Sequence, residues 1–222
     1  MEYIAHRGKT KEALENTLEA FIEAGKDQHY VGIECDMHST LDGVFIVHHD
    51  DTLKRLANDE RKITEVNYED IKDVELSDGQ KAYALPTLEA FLDICKTYKK
   101  APMLEIKKVS DIEHLNKLLT LLELYPELKP IIISFNMNYL KYLRAISNFD
   151  LYFLTTEITD QNMYDCRVNE INYYINKESL DKQTIKTLKS KGFKIGVFTV
   201  NDNDTKEEEK NLNIDYLTTD IL

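Results

Sequence analysis

Tryptophan is absent from this sequence of 222 residues, and cysteine, proline and glycine are scarce, at three, four and seven residues. The cysteines are widely spaced and none stands in a C-x-x-C pair, which argues against a disulfide framework and a thiolate metal site. No apolar run approaches the roughly 20 residues of a transmembrane helix. The N-terminus also lacks the basic and apolar regions of a leader. We therefore expect a cytoplasmic protein without a transmembrane segment.

Positive charge is also in short supply, because 28 Lys and Arg residues face 40 Asp and Glu residues, for a net charge of −12. An acidic surface is repelled by nucleic acid and by anionic membranes, so neither is an expected partner. A small anionic substrate would need local help from a bound metal or from a few placed Arg and Lys side chains. The sequence leaves the oligomeric state open.

Short apolar runs alternate with helical patterns along most of the chain. Such alternation favours a parallel sheet, and eight strands within 222 residues favour an α/β fold of the (β/α)8 TIM-barrel type. A doubly wound open sheet is the alternative, but it would usually carry a glycine-rich phosphate loop after its first strand, where only Gly8 stands. The predicted strands begin near Tyr3, Val31, Pro102, Ile131, Leu151, Ile171, Lys194 and Tyr216. Helices are predicted near residues 16–25, 86–98, 112–124, 138–146, 180–191 and 206–211.

One polar and weakly periodic stretch, residues 51–84, interrupts this alternation. We interpret it as a short insertion near the C-terminal rim of the barrel, lying over the site, rather than as a second domain. The whole chain, residues 1–222, is then predicted to form a single barrel domain.

Residues 31–50 bring acids and histidines close together in the sequence. Glu34 and Asp36 stand two residues apart in a predicted strand, so their side chains share one face. Adjacent carboxylates on an inward face repel each other, and a bound cation is the simplest remedy. After a predicted hairpin turn, a second apolar run leads to His49 and Asp50.

Polar residues also follow other predicted strands, at the barrel end where enzymes of this fold carry their chemistry. His6 and Arg7 end the first strand, and Ser134 ends the fourth. Glu105 and Lys107 are again two apart, so both are expected to face inward. We therefore predict that these side chains converge on one rim of the barrel.

In their order along the chain, these and other short segments resemble the glycerophosphodiester phosphodiesterase family. A single motif such as H-R-G is weak, but the ordered set spans the chain and is highly specific. The matching segments are H-R-G (His6 to Gly8), E-N-T (Glu15 to Thr17), E-x-D (Glu34, Asp36), D-G-x-x-x-x-H-D (Asp42, Gly43, His49, Asp50), T-L-x-R (Thr52 to Arg55), P-T-L-E (Pro86 to Glu89), E-I-K (Glu105 to Lys107), S-F-N (Ser134 to Asn136), F-T-V-N (Phe198 to Asn201) and T-D (Thr219, Asp220).

The resemblance implies a barrel that hydrolyses glycerophosphodiesters, such as glycerophosphocholine or glycerophosphoethanolamine, to glycerol 3-phosphate and an alcohol. It implies one divalent cation, calcium or magnesium, and a pair of histidines that act as general acid and base. The residues implied for these roles are Glu34, Asp36 and Glu105 for the metal, His6 and His49 for proton transfer, Arg7 and Lys107 for the phosphate, and Phe198 and Ser134 as candidates for the substrate pocket.

The chemistry of these residue types agrees with the resemblance. Three carboxylates make a hard oxygen site that suits calcium or magnesium. A metal, Arg7 and Lys107 could together neutralise the charge that grows on phosphorus, and each histidine could transfer a proton. No protein nucleophile is evident beside the histidines in the sequence. We therefore hypothesise attack by the substrate's own glycerol hydroxyl, which gives a cyclic phosphate that water then opens.

Two other functions remain open. A lysophospholipase D-like phosphodiesterase would use the same two histidines, and the short 51–84 stretch leaves an entrance that is open enough for lysophospholipids. A catalytically silent member would bind only a phospho-ligand or a partner, but the complete set of histidines and carboxylates argues against decay. The chain departs from the family at Leu14, where proline is usual, and at Phe198, where tryptophan is common. We expect the second change to alter packing against the glycerol part of the substrate or against the chain that follows it.

Overall fold

Eight parallel strands close into a barrel in the computed structural model, which describes residues 1–201 and 213–221. The first strand pairs in parallel with both the second strand and the last, which closes the sheet, confirms the predicted barrel and excludes the doubly wound alternative. The strands are β1 (Glu2–Ala5), β2 (Tyr30–Ser39), β3 (Phe45–Val47), β4 (Glu75–Ser77), β5 (Ala82–Ala84), β6 (Ala101–Lys108), β7 (Ile131–Ser134), β8 (Asp150–Thr155), β9 (Asn172–Asn176), β10 (Ile195–Phe198) and β11 (Tyr216–Thr219). Strands β3, β4 and β5 lie outside the barrel and pair antiparallel.

Helices alternate with the barrel strands over the described part of the chain. Thr17 and Thr87 begin two of them as N-caps, each accepting a hydrogen bond from a backbone N–H of the first turn. Besides the two short helices within residues 51–84, the helix at residues 160–168 was not predicted, because it buries only Cys166 and so lacks apolar periodicity. The helices are α1 (Leu18–Lys26), α2 (Lys54–Ala57), α3 (Tyr68–Ile71), α4 (Leu88–Tyr98), α5 (His114–Leu122), α6 (Met137–Ile146), α7 (Asp160–Val168) and α8 (Lys182–Ser190).

The helix predicted at residues 206–211 lies outside the described residues. Within the described ranges, no helix has the length and apolar character that crossing a bilayer would require.

Alternate residues of the barrel strands face two different layers. On β6, Leu104 and Ile106 pack in the layer between sheet and helices, whereas Met103 packs in the barrel interior. On β2, Cys35 packs in the outer layer, which leaves its neighbours Glu34 and Asp36 for the interior. The period of two along each strand thus turns the acidic residues of both strands toward the barrel axis, as the sequence predicts.

The 51–84 stretch is not a plain loop. It contains α2, a 3₁₀ turn (Ile63–Glu65), α3 and the β4–β5 hairpin, and it has apolar residues of its own. The strands β2 and β3 form the predicted hairpin beside it, with Met37 opposite Val47. The apolar cluster that ties the stretch to the hairpin consists of Ile46, Leu53, Leu56, Ile63, Ile71, Leu76, Tyr83 and Leu85.

The loop after β1 depends on Gly8, whose φ is +86° and whose position would place a Cβ 2.7 Å from the backbone carbon of Ala20 in α1. Gly79 has a similar φ of +87° but nothing within 4 Å of such a Cβ. We expect Gly8→Ala to lower the free energy of unfolding by about 2–4 kcal/mol, because backbone strain and overlap add. Gly79→Ala should cost only about 1 kcal/mol of strain. Urea denaturation of both variants checks this, and equal losses would contradict the close packing of the loop on α1.

Candidate active site

A cluster of three carboxylates (Glu34, Asp36 and Glu105) lies on β2 and β6, at the end of the barrel where β1 finishes. Asp36 is the register partner of Glu105, so adjacent strands bring the two acids side by side. One oxygen from each of the three carboxylates lies within 4.8 Å of the others, and Glu34 and Asp36 are buried. Asp36 Oδ1 is buried without a hydrogen-bond partner among the described residues. Such an unsatisfied oxygen in an all-carboxylate set fits a hard divalent cation such as calcium or magnesium.

The three carboxylates do not ionise independently. Burial, and then repulsion by Asp36 and Glu105, raises the pKa of Glu34 well above its usual value. Burial and the charge of Asp36 raise the pKa of Glu105 to about 7. Burial opposes ionisation of Asp36 as well, but the nearby Arg7 and Lys107 outweigh it and hold the pKa of Asp36 below its usual value. The cluster therefore carries repulsion that a bound cation would offset.

Two cations lie directly against this cluster. The backbone N–H of Arg7 donates to Glu34 Oε2 (2.9 Å), and its Nε is 3.0 Å from Asp36 Oδ2 in an ion pair not aligned as a hydrogen bond. Lys107 Nζ is 2.8 Å from Glu105 Oε1 and 3.5 Å from Asp36 Oδ1. Lys107 is thus an ion-pair partner of Glu105 and also lines the cleft described below.

Each of the two predicted proton-transfer histidines has a carboxylate behind its ring. His6 Nδ1 is 2.8 Å from Asp220 Oδ1, and His49 Nδ1 is 2.7 Å from Asp50 Oδ1. Asp220 in turn accepts a hydrogen bond from the side-chain amide of Asn201 (2.6 Å). Since an ionised carboxylate can only accept, Nδ1 donates and the proton-free Nε2 of a neutral ring is left for exchange with a substrate.

The histidines, the cations and one metal-type carboxylate line a single cleft of about 400 Å³. A larger cavity of about 660 Å³ lies at the opposite end of the barrel, at the beginning of β2 and β6, away from this chemistry. We place the site in the smaller cleft, because catalytic groups of this fold lie at the carboxyl ends of the strands. The cleft is lined by His6, Arg7, His49, Glu105, Lys107, Phe135, Asn176, Lys177, Glu178, Phe198 and Thr199.

The two residues predicted for the substrate pocket lie in different places. Phe198 lines the cleft, with its ring centroid 6.0 Å from that of Phe135 in an edge-to-face arrangement. Ser134 is fully buried behind Phe135, and its hydroxyl donates to the backbone carbonyl of Ile106 (2.7 Å). The side chain that reaches the cleft from this loop is Phe135, half of whose surface is exposed.

Two further histidines support the site from outside the cleft. His38 is fully buried, and its Nε2 is 3.3 Å from the backbone carbonyl of His49, to which it must donate. Burial lowers the pKa of His38 to about 4, so the ring is neutral at pH 7. His48 is also buried, with Nε2 3.1 Å from the carbonyl of Thr52. These contacts fix the backbone on both sides of the His49 side chain.

Several supporting residues had no role assigned from the sequence alone. Asn16 donates from its side-chain amide to Asp36 Oδ2 (2.8 Å) and accepts from the Asp36 backbone N–H (3.2 Å). Glu15 and Arg55 form further ion pairs at the edge of the cleft, and Asp220 comes from the far end of the chain. Their only sequence signal was membership of the E-N-T, T-L-x-R and T-D motifs, which gave no partner for any of them.

The carboxylate cluster leads to a testable prediction on the metal-free protein. We expect Glu34→Gln to raise its free energy of unfolding by about 1–2 kcal/mol. At neutral pH folding must either protonate Glu34 or bury its charge beside Asp36 and Glu105, whereas the neutral amide avoids both costs and keeps an oxygen acceptor for the Arg7 N–H. The variant should lose stabilisation by calcium or magnesium, which at 100 times the Kd would add about 2.7 kcal/mol to the wild type. Thermal unfolding in EDTA and with each cation checks both effects.

The matched control for that experiment is Glu75→Gln, which changes an exposed glutamate on β4 and should alter neither quantity. An unchanged response of Glu34→Gln to cations would count against the cluster as a metal site.

The comparisons with known proteins agree with this site geometry. A sequence model of the glycerophosphoryl diester phosphodiesterase family matches residues 6–222. A glycerophosphodiester phosphodiesterase of Caldanaerobacter subterraneus subsp. tengcongensis is 40% identical over 92 residues, which cover 38% of this chain. The aligned part spans 36% of that relative's length.

Two solved structures resemble the whole chain. An Oleispira antarctica phosphodiesterase in complex with sn-glycerol-3-phosphate has a TM-score of 0.90 and 23% identity, covering 99% of this chain and 93% of that one. A glycerophosphodiester phosphodiesterase from Parabacteroides distasonis has a TM-score of 0.84 and 25% identity, covering 99% and 92%. The family model extends over nearly all residues, and the fold and the site geometry agree with it, so the chain belongs to the glycerophosphoryl diester phosphodiesterase family.

Proposed function

We propose that this protein hydrolyses glycerophosphodiesters, such as glycerophosphocholine and glycerophosphoethanolamine, to glycerol 3-phosphate and an alcohol in a reaction that needs a divalent cation. The observation that carries the proposal is the placement of two carboxylate-backed histidines in one cleft beside a cluster of three carboxylates. Membership of the family supports it. The sn-glycerol-3-phosphate bound to the Oleispira protein, which has the same fold, is consistent with a small-molecule substrate.

The cation is proposed to be calcium or magnesium, held by Glu34, Asp36 and Glu105. When bound, it would supply positive charge to the phosphate oxygens. Arg7 and Lys107 line the same cleft, and we propose that they bind the non-bridging oxygens of the phosphodiester. A guanidinium and an ammonium beside phosphorus stabilise the extra negative charge of the transition state.

The two histidines are proposed to transfer the protons of both chemical steps. In the first step the glycerol hydroxyl next to the phosphate ester forms a bond to phosphorus and gives its proton to one histidine. The bond to the leaving alcohol breaks, and the other histidine protonates its oxygen. Water then opens the cyclic phosphate with the two roles exchanged, giving glycerol 3-phosphate. The Asp50 and Asp220 carboxylates keep both rings in the orientation that these transfers need.

An attack by the substrate's own hydroxyl agrees with the side chains of the cleft. Thr199 is the hydroxyl-bearing residue among the cleft-lining residues that the structure describes, and it makes no hydrogen bond to either histidine. A hydroxyl without a base is a weak nucleophile. We therefore prefer the cyclic route to a covalent intermediate on a hydroxyl side chain.

The remaining cleft residues bear on the substrate's organic part. We propose that Phe198 packs against the glycerol carbons, together with Phe135. Ser134 would act on the pocket only indirectly, because its hydroxyl accepts from the backbone N–H of Asn136 (3.1 Å) and so fixes the loop that carries Phe135.

We further propose that residues 1–222 form one domain in which residues 51–84 are a short insertion beside the site. Support comes from Arg55, a residue of this stretch that reaches Asp50 at the cleft. A cytoplasmic location stays a prediction from the sequence.

The activity is tested by measuring glycerol 3-phosphate released from glycerophosphocholine after EDTA treatment, and then with calcium, magnesium or manganese added. We expect release that depends on the cation and is lost in Glu34→Ala, because the cation-binding set is broken. Lys81→Ala, which changes an exposed side chain outside the cleft, is the control. No release with any cation would contradict the proposal, and release from lysophospholipids alone would favour the lysophospholipase D-like function instead.

The route is tested separately in a single turnover. We expect a cyclic glycerophosphate to form before glycerol 3-phosphate, with retained configuration at phosphorus after two inversions. Thr199→Val should leave the rate within about threefold of wild type, since Thr199 is not a nucleophile in this scheme. Inversion at phosphorus would rule out the cyclic intermediate.

A further inference from the structure

Arg55 forms two ion pairs at the edge of the cleft, although its side chain does not line the cleft. Its Nε donates to Asp50 Oδ2 (2.6 Å), and its terminal nitrogen donates to Glu15 Oε1 (2.7 Å). Asp50 uses its other oxygen for His49 Nδ1. Burial opposes ionisation of Asp50, but the hydrogen bonds from Arg55 and His49 prevail and lower its pKa to about 2. One guanidinium thus joins the carboxylate behind His49 to a glutamate from a different loop.

Glu15 continues the connection toward the phosphate side of the cleft. The same oxygen, Oε1, accepts from a terminal nitrogen of Arg7 at 3.2 Å. Arg7 in turn lies 3.0 Å from Asp36 through its Nε. Charges alternate without a gap along the path from Asp50 through Arg55, Glu15 and Arg7 to Asp36, so each inner group is held by opposite charges on both sides.

Among the described residues, the other histidine has no comparable connection. The carboxylate behind His6, Asp220, accepts instead from the neutral amide of Asn201, and its backbone N–H donates to the same amide's oxygen (2.9 Å). The two histidines are therefore oriented by different means. His6 depends on groups near the end of the barrel sequence, and His49 depends on a cation from the 51–84 stretch.

The exposure of Arg55 makes a purely stabilising role a poor explanation. Its side chain is 46% exposed, and ion pairs at such a position contribute about 0.2–1 kcal/mol each. A planar guanidinium that meets two carboxylates at once does, however, fix their relative geometry closely. The contribution expected from this arrangement is orientation.

We propose that Arg55 is a positioning residue that sets His49 and Arg7 in register with each other, acting through Asp50 and Glu15. The expected effect of this role on kcat rests on the proposed function, whereas its effect on the orientation of the His49 ring does not. A proton-transfer group and a phosphate-binding group are then aligned by one side chain that touches no substrate. The 51–84 stretch supplies part of the active-site support as well as lying beside the cleft.

The kinetic test compares Arg55→Gln with Arg61→Gln. Arg61 lies in the same stretch, its side chain is 41% exposed, and its side chain is paired with Asp59 and the Asp70 carbonyl rather than with the site. We expect Arg55→Gln to lower kcat for glycerophosphocholine by about 10–100-fold, the usual effect of losing a supporting contact. KM should change less, and thermal stability should match that of Arg61→Gln, which should keep wild-type kcat.

Two further variants separate orientation from charge. Arg55→Lys keeps the charge but not the planar fork, so it should recover only part of the lost kcat. The double variant Glu15→Ala/Arg55→Gln should be no slower than the slower single variant, since both break one connection. Losses that multiply in the double variant, or a fully active Arg55→Lys, would overturn the bridging role.

A test that needs no turnover uses proton NMR of the histidine rings. A ring N–H that donates to a carboxylate resonates far downfield, and His6 and His49 each have such a contact at the site. A third contact, from His29 to Asp27, lies on a side chain that is 78% exposed, so its proton exchanges rapidly with water. We expect Arg55→Gln to weaken or remove the His49 signal and to leave the His6 signal in place, while Arg61→Gln preserves both. The His6 signal is assigned by its loss in Asp220→Asn.

The outcomes are distinct. If Arg55→Gln loses the His49 signal but the wild-type protein has no activity, the proposed function is wrong and the positioning role stands. An unchanged His49 signal and unchanged kcat in Arg55→Gln, with an active wild type, would overturn the positioning role alone.

Discussion

Repulsion among three carboxylates is the constraint around which this end of the barrel is built. Strand pairing sets Asp36 beside Glu105, and the two-residue period of β2 puts Glu34 on the same inner face. Three acids that close together, two of them buried, would be costly if all were charged and unmatched. Arg7 and Lys107 balance part of this negative charge. In our proposal, a divalent cation balances the rest. The groups that balance the acids are thus the ones that a phosphodiester would meet.

The same constraint explains the support around Asp36. Its two oxygens differ, because Oδ2 is held by Asn16 and approached by Arg7, whereas Oδ1 lacks a hydrogen-bond partner among the described residues. A carboxylate fixed through one oxygen presents the other in a defined direction, which suits metal binding. The loop before α1 contributes Asn16 and Glu15 from consecutive positions. One turn of chain therefore supports both the proposed metal ligand Asp36 and the proposed phosphate-binding residue Arg7.

Each of the two histidines is oriented by an aspartate, but the two aspartates come from different parts of the chain. Both rings have an aspartate at Nδ1, but Asp50 is the next residue after His49, and Asp220 is separated from His6 by almost the whole chain. The first pairing depends on the hairpin and on the stretch that follows it. The second depends on closure of the barrel, because β11 pairs with β1 and thereby brings Asp220 to the end of the first strand.

The sequence by itself determined the alternation of strands and helices, the inward direction of Glu34, Asp36, Glu105 and Lys107, and the family, because these follow from short-range periodicity and ordered motifs. It missed α7, which lacks an apolar stripe, and it treated residues 51–84 as a polar excursion although they contain an apolar cluster. Only the tertiary structure decided which carboxylate lies behind which histidine, that Ser134 is buried behind Phe135, and that Arg55 connects two loops. Some of these relations join residues that are far apart in the chain. Others depend on which rotamer a side chain adopts. They are fixed by strand register and barrel closure, which no local pattern encodes.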